Sequence, residues 1–246
     1  YTKSYVNNVI IEDGKVCGVE VEHLGEKITI KCKLVIGADG VASRVGRWAG
    51  LKTVVKVKDM ESALQYSVSN INAPDNRMIM YVGKNYAPGG YLWIFPKGDN
   101  HANIGIGISG KYGKERSAKS YLDEFMSKNF PDASILTTVC GGVPCPQPMD
   151  KPYSDGIMLV GDAAHHINPV TGGGIASGMK GGQIAGRLAV TAIENNDVSE
   201  SFLSKYEKNV LKDFGKRHHR LYKIKNVIHQ LADEDLNYIA QKVSSI

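Results

Sequence analysis

The chain of 246 residues is long enough for one large domain or two coupled ones, and its 42% hydrophobic and 22% charged residues are typical of a globular protein. The net charge of +5 is modest and the basic residues are dispersed, so the composition does not indicate a nucleic-acid-binding protein. No apolar run approaches the roughly 18 residues that a membrane-spanning helix requires, and no secretory signal peptide is visible.

The N-terminal part of the chain predicts β-structure. Two strand-like runs, Tyr5–Glu12 and Lys15–Glu22, are joined by Asp13-Gly14, which is typical of a hairpin turn because glycine tolerates a positive φ. A third run alternates and then becomes continuously apolar at Leu34–Ile36, which predicts a strand buried on both faces. A short helix is expected next, with Ser43 as its N-cap.

The middle of the chain predicts an antiparallel sheet followed by a helix. From Val54 to Ile108, short strand-like runs are separated by turn residues. Residues 117–130 then have a helical period, with the apolar side chains on one side. Strands are expected again at 135–143 and 157–160, the second of them buried, and the rest of the chain reads as helices, from Gly174 to about Ile193 and over residues 199–246.

The segment from Ile157 to Gly182 carries the strongest functional signal. A buried strand ends at Gly161, which places Asp162 at the carboxyl end of a strand, where ligands of α/β sheets bind. Pro169 fixes a turn, and three consecutive glycines, Gly172–Gly174, open a helix whose first N–H groups are unpaired. A buried carboxylate requires hydrogen-bond donors, and glycine lets a ligand approach the backbone. The segment therefore predicts a site for a large, partly anionic ligand with polyol character; a glycine-rich loop without a ligand is the alternative.

Two motifs about 120 residues apart resemble a known family. GDAAHHINPVTGGGI, starting at Gly161, resembles the second flavin motif of the flavoprotein family that includes the aromatic hydroxylases, and VIGADGVASRVGR, starting at Val35, resembles its middle motif. The resemblance implies FAD as cofactor, with the ribityl chain at the acid, the isoalloxazine at the glycines and the pyrophosphate near the middle motif. The cofactor-binding residues that it implies are Gly161, Asp162, Pro169, Gly172, Gly173, Gly174, Ile175, Asp39 and Gly40.

A third motif narrows the family. Tyr91, Trp93 and Phe95 alternate, so their side chains face the same side of one strand and could line an apolar cavity, with ordinary core packing as the alternative. The stretch PGGYLWIFPKG, from Pro88 to Gly98, resembles a signature of the geranylgeranyl reductases, and CGGVP, starting at Cys140, fits the same branch. The resemblance implies that the three aromatic residues contact the substrate.

The resemblance also implies a fold and a division into domains. We expect an α+β or α/β fold of the aromatic-hydroxylase type. Residues 1–52 and 138–195 are assigned to the remaining part of its FAD-binding domain, 53–137 to an antiparallel-sheet substrate domain, and 196–246 to C-terminal helices. The family's first Gly-x-Gly-x-x-Gly dinucleotide turn, and with it the first βαβ unit, is absent from this sequence. We therefore expect an N-terminally truncated, inactive fragment that binds FAD weakly or not at all.

The implied activity is FAD-dependent reduction of C=C bonds in the geranylgeranyl chains of archaeal-type isoprenoid membrane lipids or their precursors. Its partners are an isoprenoid lipid substrate and an external electron donor: reduced nicotinamide, ferredoxin or deazaflavin. A flavin-dependent monooxygenase and a flavin-free lipid-binding module are the alternatives. Flavin supplies a hydride and the protein supplies placement; Tyr91, Cys140 and His165 are candidate proton donors among which the sequence does not choose, so no catalytic residue is assigned.

The remaining polar residues support less specific predictions. His165 and His166 have no third ligand at metal spacing, so a structural or flavin-flanking role is favoured and no metal site is predicted. The four cysteines follow no zinc or disulfide spacing, which indicates reduced thiols of a cytoplasmic protein. The basic run Lys216–Lys225 is interpreted as a solvated helix face, with peripheral contact to an anionic membrane surface as the alternative.

Overall fold

The computed structural model describes residues 1–243, which form two compact units. The first unit comprises Tyr1–Val54 and Pro144–Lys223, and the second comprises Val55–Val143 and the chain from Ile224 onward. The sequence predicts domain boundaries at residues 52 and 138, and the two units divide after residues 54 and 143. The predicted C-terminal part, 196–246, of which residues 244–246 lie outside the described residues, is instead divided between the two units.

The first unit begins with an antiparallel sheet of order β1-β2-β3, formed by β1 (Ser4–Glu12), β2 (Lys15–His23) and β3 (Glu26–Lys31). Glu12 pairs with Lys15, and the turn between them has positive φ at both Asp13 (50°) and Gly14 (78°). The hairpin predicted from Asp13-Gly14 is therefore confirmed, because this turn requires two residues that tolerate a left-handed backbone.

A second small sheet of the first unit holds the strand that leads into the candidate site. In it β11 (Ile157–Leu159) lies between β10 (Tyr153–Ser154), to which it is antiparallel, and β4 (Val35–Gly37), to which it is parallel. The side chains of β11 are fully buried, as predicted. Burial of β4 on both faces is wrong, since Ile36 is 40% exposed and β4 is an outer strand of this sheet within residues 1–243.

Helices pack around a core that includes Ala185 and Ala192 of the long helix α3 (Ile175–Glu194). Leu203 and Tyr206 are fully buried in this core, and the Tyr206 hydroxyl donates to the Leu159 carbonyl at 2.8 Å. Residues 198–214 are therefore not separate from the first unit, because their apolar side chains complete its core. The helices are α1 (Arg44–Trp48), α3 (Ile175–Glu194), α4 (Glu200–Leu203), α5 (Lys205–Val210), a π-helical turn (Leu211–Gly215) and α6 (Lys216–Ile228).

The second unit is built on a sheet whose order within residues 1–243 is β6-β7-β8-β5-β9. The strand pairs β5–β8, β7–β8 and β6–β7 are antiparallel, which confirms the predicted antiparallel sheet. Leu92, Ile94 and Ile104 cover one face of this sheet together with Leu122 and Phe125 of helix α2. The elements are β5 (Met60–Ser69), β6 (Ile79–Val82), β7 (Tyr91–Gly98), β8 (His101–Ser109), α2 (Ala118–Asn129), β9 (Ser134–Pro144) and α7 (Asp233–Val243).

The C-terminal segment of the second unit is held by polar contacts. Lys225 and Asp59 form a buried ion pair with an Nζ–Oδ1 distance of 3.0 Å. The Asp233 carboxylate, at the start of α7, accepts a hydrogen bond from the Lys84 backbone N–H at 2.7 Å. Within residues 1–243, no helix has the length and apolar content needed to cross a membrane.

Candidate functional site

The turn after β11 presents a carboxylate. Gly161 has a φ of 63°, which starts a 3₁₀ turn over Gly161–Ala164 and turns the chain sharply at the strand end. Asp162 lies on this turn and is half-buried. Burial raises the pKa of Asp162, partly offset by the nearby charge of His165. The sequence therefore places a carboxylate where the loss of water makes its charge costly, and where hydroxyl donors would stabilise it.

The glycine loop, Asn168–Gly174, closes on itself before α3 begins. The Asn168 side chain accepts from the Val170 N–H at 3.0 Å, and the Asn168 carbonyl accepts from the Gly172 N–H at 2.9 Å. This closure gives Gly172 a φ of 66°, a conformation that suits glycine. Pro169 lies within the loop, and Ile175, the first residue of α3, is 84% exposed.

The structure brings Asp162 to the beginning of α3. A methyl group at position 174 would lie 3.1 Å from Asp162 Oδ1, a tight contact, so the absence of a side chain at Gly174 lets the carboxylate lie beside this backbone without a shift. Gly174 is the N-cap residue of α3 and has no side chain to pair with the first N–H groups of the helix. A carboxylate that accepts hydrogen bonds and a helix terminus that donates them therefore stand side by side.

Asp39 and Gly40 lie on the neighbouring middle motif. The Asp39 carboxylate accepts from the Val45 N–H at 3.0 Å and so caps α1. Ser43 occupies the predicted N-cap position of α1, but its side chain does not cap the helix, because the Ser43 hydroxyl donates instead to the Ala163 carbonyl at 3.1 Å and so links the two motifs. Gly40 has a φ of 73°, and a methyl group at this position would meet no atom within 4 Å.

The two histidines of the motif are held inside the first unit. His165 Nε2 lies 3.2 Å from the Thr53 carbonyl, to which it donates. The pKa of His166 is lowered to about 3, mainly by burial and further by the charges of His218 and His165. A methyl group at Gly181 would lie 2.3 Å from His166 Nδ1, so α3 needs a glycine where it crosses this ring. Among residues 1–243, no group of three or more histidine, cysteine or acidic residues could hold a metal ion.

The aromatic face, defined by Tyr91, Trp93 and Phe95, lies in the second unit. Ring centroids are 5.7 Å apart between Tyr91 and Trp93, and 5.9 Å apart between Trp93 and Phe95. The alternate residues Leu92 and Ile94 are buried in the core against α2. The three half-buried rings therefore lie on the opposite side of the sheet, and ordinary packing in that core does not explain them.

Glycines on β8 make room for the rings. Gly105 pairs with Trp93 and Gly107 with Tyr91. A methyl group at position 105 would lie 2.3 Å from Trp93 Cζ2, so the indole rests directly on the β8 backbone. Gln65 Oε1 accepts from Trp93 Nε1 at 3.1 Å and fixes the ring. Sequence reasoning missed Gln65 and both glycines, although alternating glycines opposite alternating aromatic residues would have been a usable signal.

Known proteins resemble both units. Residues 59–143 match the family model described as the geranylgeranyl reductase catalytic domain. The chain is 45% identical, over 99% of its length, to digeranylgeranylglycerophospholipid reductase 1 of Methanococcoides burtonii, and 41% identical, over 99%, to digeranylgeranylglycerophospholipid reductase of Methanocella arvoryzae. The chain is a relative of the geranylgeranyl reductases. It spans 60% and 62% of the lengths of these two reductases.

Solved structures show the same relationship. A geranylgeranyl bacteriochlorophyll reductase-like protein of Thermoplasma acidophilum superimposes with a TM-score of 0.95 at 38% identity, covering 99% of this chain and 62% of that one. The myxobacterial chondrochloren halogenase, described as FAD-dependent, superimposes with a TM-score of 0.69 at 17% identity, covering 89% of this chain and 53% of that one. The second likeness shows the fold alone. Together they confirm the predicted fold, which this relative of the geranylgeranyl reductases shares with flavoproteins.

Proposed function

We propose that this chain carries most of an FAD-dependent reductase that saturates C=C bonds in geranylgeranyl chains of isoprenoid membrane lipids or their precursors. The observation that carries the proposal is the aromatic face, which lies over a glycine-lined sheet within the segment that matches the geranylgeranyl reductase catalytic domain. The 45% identity to a digeranylgeranylglycerophospholipid reductase supports the substrate class.

The residues of the first unit fit FAD. Asp162 has a half-buried carboxylate that can accept hydrogen bonds from ribityl hydroxyls. Gly172–Gly174 keep side chains away from the start of α3, whose N–H groups and partial positive charge suit the electron-rich edge of a reduced isoalloxazine. Asp39 and Gly40 are proposed to lie near the pyrophosphate, where the open space beside Gly40 leaves room. When bound, FAD supplies the hydride of the reaction.

The aromatic face fits an isoprenoid chain. Tyr91 and Trp93 pair on β6 with Val82 and Met80, which are 53% and 52% exposed. This side of the sheet therefore offers aromatic and aliphatic surface to water, and covering it with a branched hydrocarbon would release that water at about 25 cal/mol per Å² of apolar surface. The rings rest on backbone and on each other, so they give a flat, preorganised surface rather than a flexible one.

The partners follow from the reaction. Reduction of each double bond consumes two electrons, so an external donor must reduce the flavin between turnovers; reduced nicotinamide, ferredoxin and deazaflavin remain the proposed classes. A lipid substrate also makes peripheral contact with a membrane surface part of the proposal. The candidate contact is the exposed part of the basic run, Lys216, Arg217, Arg220 and Lys223, since Lys225 is buried in its ion pair with Asp59.

The test is anaerobic reduction of a geranylgeranyl lipid by the dithionite-reduced flavoprotein, followed by mass spectrometry. Gain of mass in steps of one H₂ supports the proposal. Unchanged lipid in the presence of reduced flavin would exclude it, and oxygen-dependent hydroxylation would identify a monooxygenase instead. Titration of the purified 246-residue chain with FAD separately tests the expectation that this chain alone binds flavin weakly.

A further inference from the structure

We infer that the polar corner, defined by Gln65, Ser67 and Asn103, binds the uncharged glycerol backbone of the lipid substrate. This inference rests on the proposed reductase function and deepens it, because it assigns a site to the part of the lipid to which the isoprenoid chains are attached. All three side chains are half-buried and belong to the second unit.

The register of the sheet places the polar corner beside the aromatic face. Ser67 pairs with Asn103 across β5 and β8, and Asn103 pairs with Phe95 across β8 and β7. Residues directly opposite one another in a sheet point to the same side, with Cβ atoms about 4.5–5.5 Å apart. A hydroxyl and a carboxamide are therefore both within reach of one small group placed next to the Phe95 ring.

Gln65 adds hydrogen-bond donors to the polar corner. Gln65 is two residues before Ser67 on β5, so its side chain lies on the same side of the sheet. Its Oε1 accepts from Trp93 Nε1 at 3.1 Å, and because an indole nitrogen can only donate, this bond fixes which branch of the carboxamide is the oxygen. The amide nitrogen is then left with two N–H donors for an oxygen atom of a ligand that lies on Trp93.

The fold itself does not explain Asn103. This residue lies on β8, which has β7 on one side and β5 on the other, and asparagine is unfavourable within strands. Within residues 1–243, neither the Asn103 carboxamide nor the Ser67 hydroxyl makes a side-chain hydrogen bond. Their donors and acceptors are therefore available to a ligand.

The polarity of this side of the sheet changes along the strands. At the other end of the aromatic face, one row of paired residues consists of Ala63, Gly107, Tyr91 and Val82. Glu61, two residues before Ala63, is only 7% exposed, so the accessible surface of that end is small, aromatic or aliphatic. This row is four residues from the Ser67 row, or about 13 Å at the usual rise of a strand. The surface is therefore amphipathic along its length, like a lipid.

The chemistry of the polar corner suits glycerol better than a charged head group. Its side chains are uncharged and offer both donors and acceptors, which match ether oxygens that accept and hydroxyl groups that do both. A phosphate group is bound best by cations or by several N–H groups acting together, and the three side chains supply no positive charge. Glycerol bound here would direct the isoprenoid chains over Trp93 towards Tyr91 and Val82.

The experiment compares Asn103→Leu with Asn76→Leu in the flavin-loaded holoenzyme. Both variants replace a carboxamide of the second unit by an apolar side chain of similar size, but Asn76 is exposed on a turn outside the sheet. Binding is measured with oxidised flavin and without a reductant, so that no double bond is reduced, by Trp93 fluorescence in a Trp48→Phe background. The ligands, each in detergent micelles, are a digeranylgeranylglycerol diether, its phosphate ester, and an isoprenoid hydrocarbon of the same chain length without oxygen. Ser67→Ala serves if Asn103→Leu fails to fold.

We expect Asn103→Leu to weaken binding of both glycerol diethers by about 3- to 10-fold, the usual effect of losing one hydrogen bond. Its affinity for the hydrocarbon should stay within about 1.5-fold of the wild type, because no hydrogen bond is lost there. Asn76→Leu should match the wild type for all three ligands.

Three outcomes would overturn this inference alone. Unchanged affinity of Asn103→Leu for the diethers would show that Asn103 does not bind them. Equal losses for the diethers and the hydrocarbon would show that Asn103 supports the shape of the surface. A loss confined to the phosphate ester would show that a charged head group, rather than glycerol, occupies the polar corner. A wild-type holoenzyme that leaves the diether unreduced after addition of dithionite would instead overturn the proposed function, whatever the binding result.

Discussion

The two units differ in how they hold buried polar groups. In the first unit, His166 is a buried neutral imidazole whose Nδ1 has no hydrogen-bond partner among residues 1–243, and Asp162 is a half-buried carboxylate whose pKa is raised by burial. In the second unit, the buried charges of Lys225 and Asp59 neutralise each other in an ion pair.

This difference favours the first unit as the one that binds a polar ligand. A carboxylate that is costly in the folded chain becomes favourable when a ligand donates hydrogen bonds to it, as a polyol can. The second unit needs no such ligand for its buried charges, and its unusual feature is instead the apolar surface of the aromatic face. This contrast supports the proposal that the first unit binds a polar cofactor and the second a hydrocarbon.

The largest expected effect tests the buried ion pair of the second unit. Lys225→Met leaves Asp59 buried without this cation, and we expect a loss of about 3–5 kcal/mol in the free energy of unfolding, measured by urea denaturation. The double variant Lys225→Met with Asp59→Asn removes both charges and should be more stable than Lys225→Met alone. If the single variant were as stable as the wild type, the ion pair would not be what holds the C-terminal segment.

The next effect tests the polar cofactor site of the first unit. Asp162→Ala removes the carboxylate beside Gly174, and we expect flavin affinity in the holoenzyme to fall about 10- to 100-fold, since hydrogen bonds to charged groups contribute about 1.5–3 kcal/mol. Flavin fluorescence during titration of the apoprotein measures this change.

Lipid affinity provides the control for Asp162→Ala. If the units are organised for different ligands, binding of a saturated isoprenoid should be unchanged in this variant. Equal loss of flavin and lipid affinity would show that the substitution disrupts the fold rather than one site.

A smaller effect is expected on the aromatic face. In Gly105→Ala the added methyl group would lie 2.3 Å from the Trp93 ring, so the indole must move. We expect a destabilisation of about 1–3 kcal/mol from overpacking, measured by thermal unfolding, and weaker lipid binding with unchanged flavin affinity. Trp93→Ala should likewise keep the flavin but alter the rate or the product pattern of lipid reduction. A Trp93→Ala enzyme with unaltered products would refute contact between this ring and the substrate.

The last prediction concerns a pH dependence of the first unit. The folded-state pKa of His166, about 3, lies below its ordinary value of 6.5, so between these values the unfolded chain binds a proton that the folded chain does not. Stability should therefore fall as the pH decreases through this window, by up to about 1.4 kcal/mol per pH unit. His166→Phe should have a shallower slope in acid denaturation curves, because His218 and His229, whose pKa values burial also lowers, still contribute, whereas His101→Phe, at an exposed histidine, should keep the full slope.

Local patterns predicted much of the fold. The Asp13-Gly14 turn, the buried strand β11 and the antiparallel sheet of the second unit each depend on neighbouring residues, whose periodicity and turn chemistry can be read directly. The bounds of α3, Ile175–Glu194, also lie within one residue of the expectation, since the glycines mark its start.

Features that depend on distant partners were not predictable. Ser43 stood in the N-cap position, but its hydroxyl bonds to Ala163, 120 residues away, and Asp39 caps the helix instead. Ile36 looked buried because its neighbours are apolar, yet burial depends on which strand pairs beside it. Gln65 was missed because the register between β5 and β8, which places it beside Trp93, is a property of the folded sheet.

Strand β7 alternates residue by residue between the core and the aromatic face. Leu92 and Ile94 are committed to the interior of the second unit, whereas Tyr91, Trp93 and Phe95 contribute little to that interior. Natural substitutions at positions 91, 93 and 95 could therefore change which lipid chain lengths and branch points bind, without destabilising the fold. Substrate selectivity and stability of the fold would therefore depend on different side chains of the same strand.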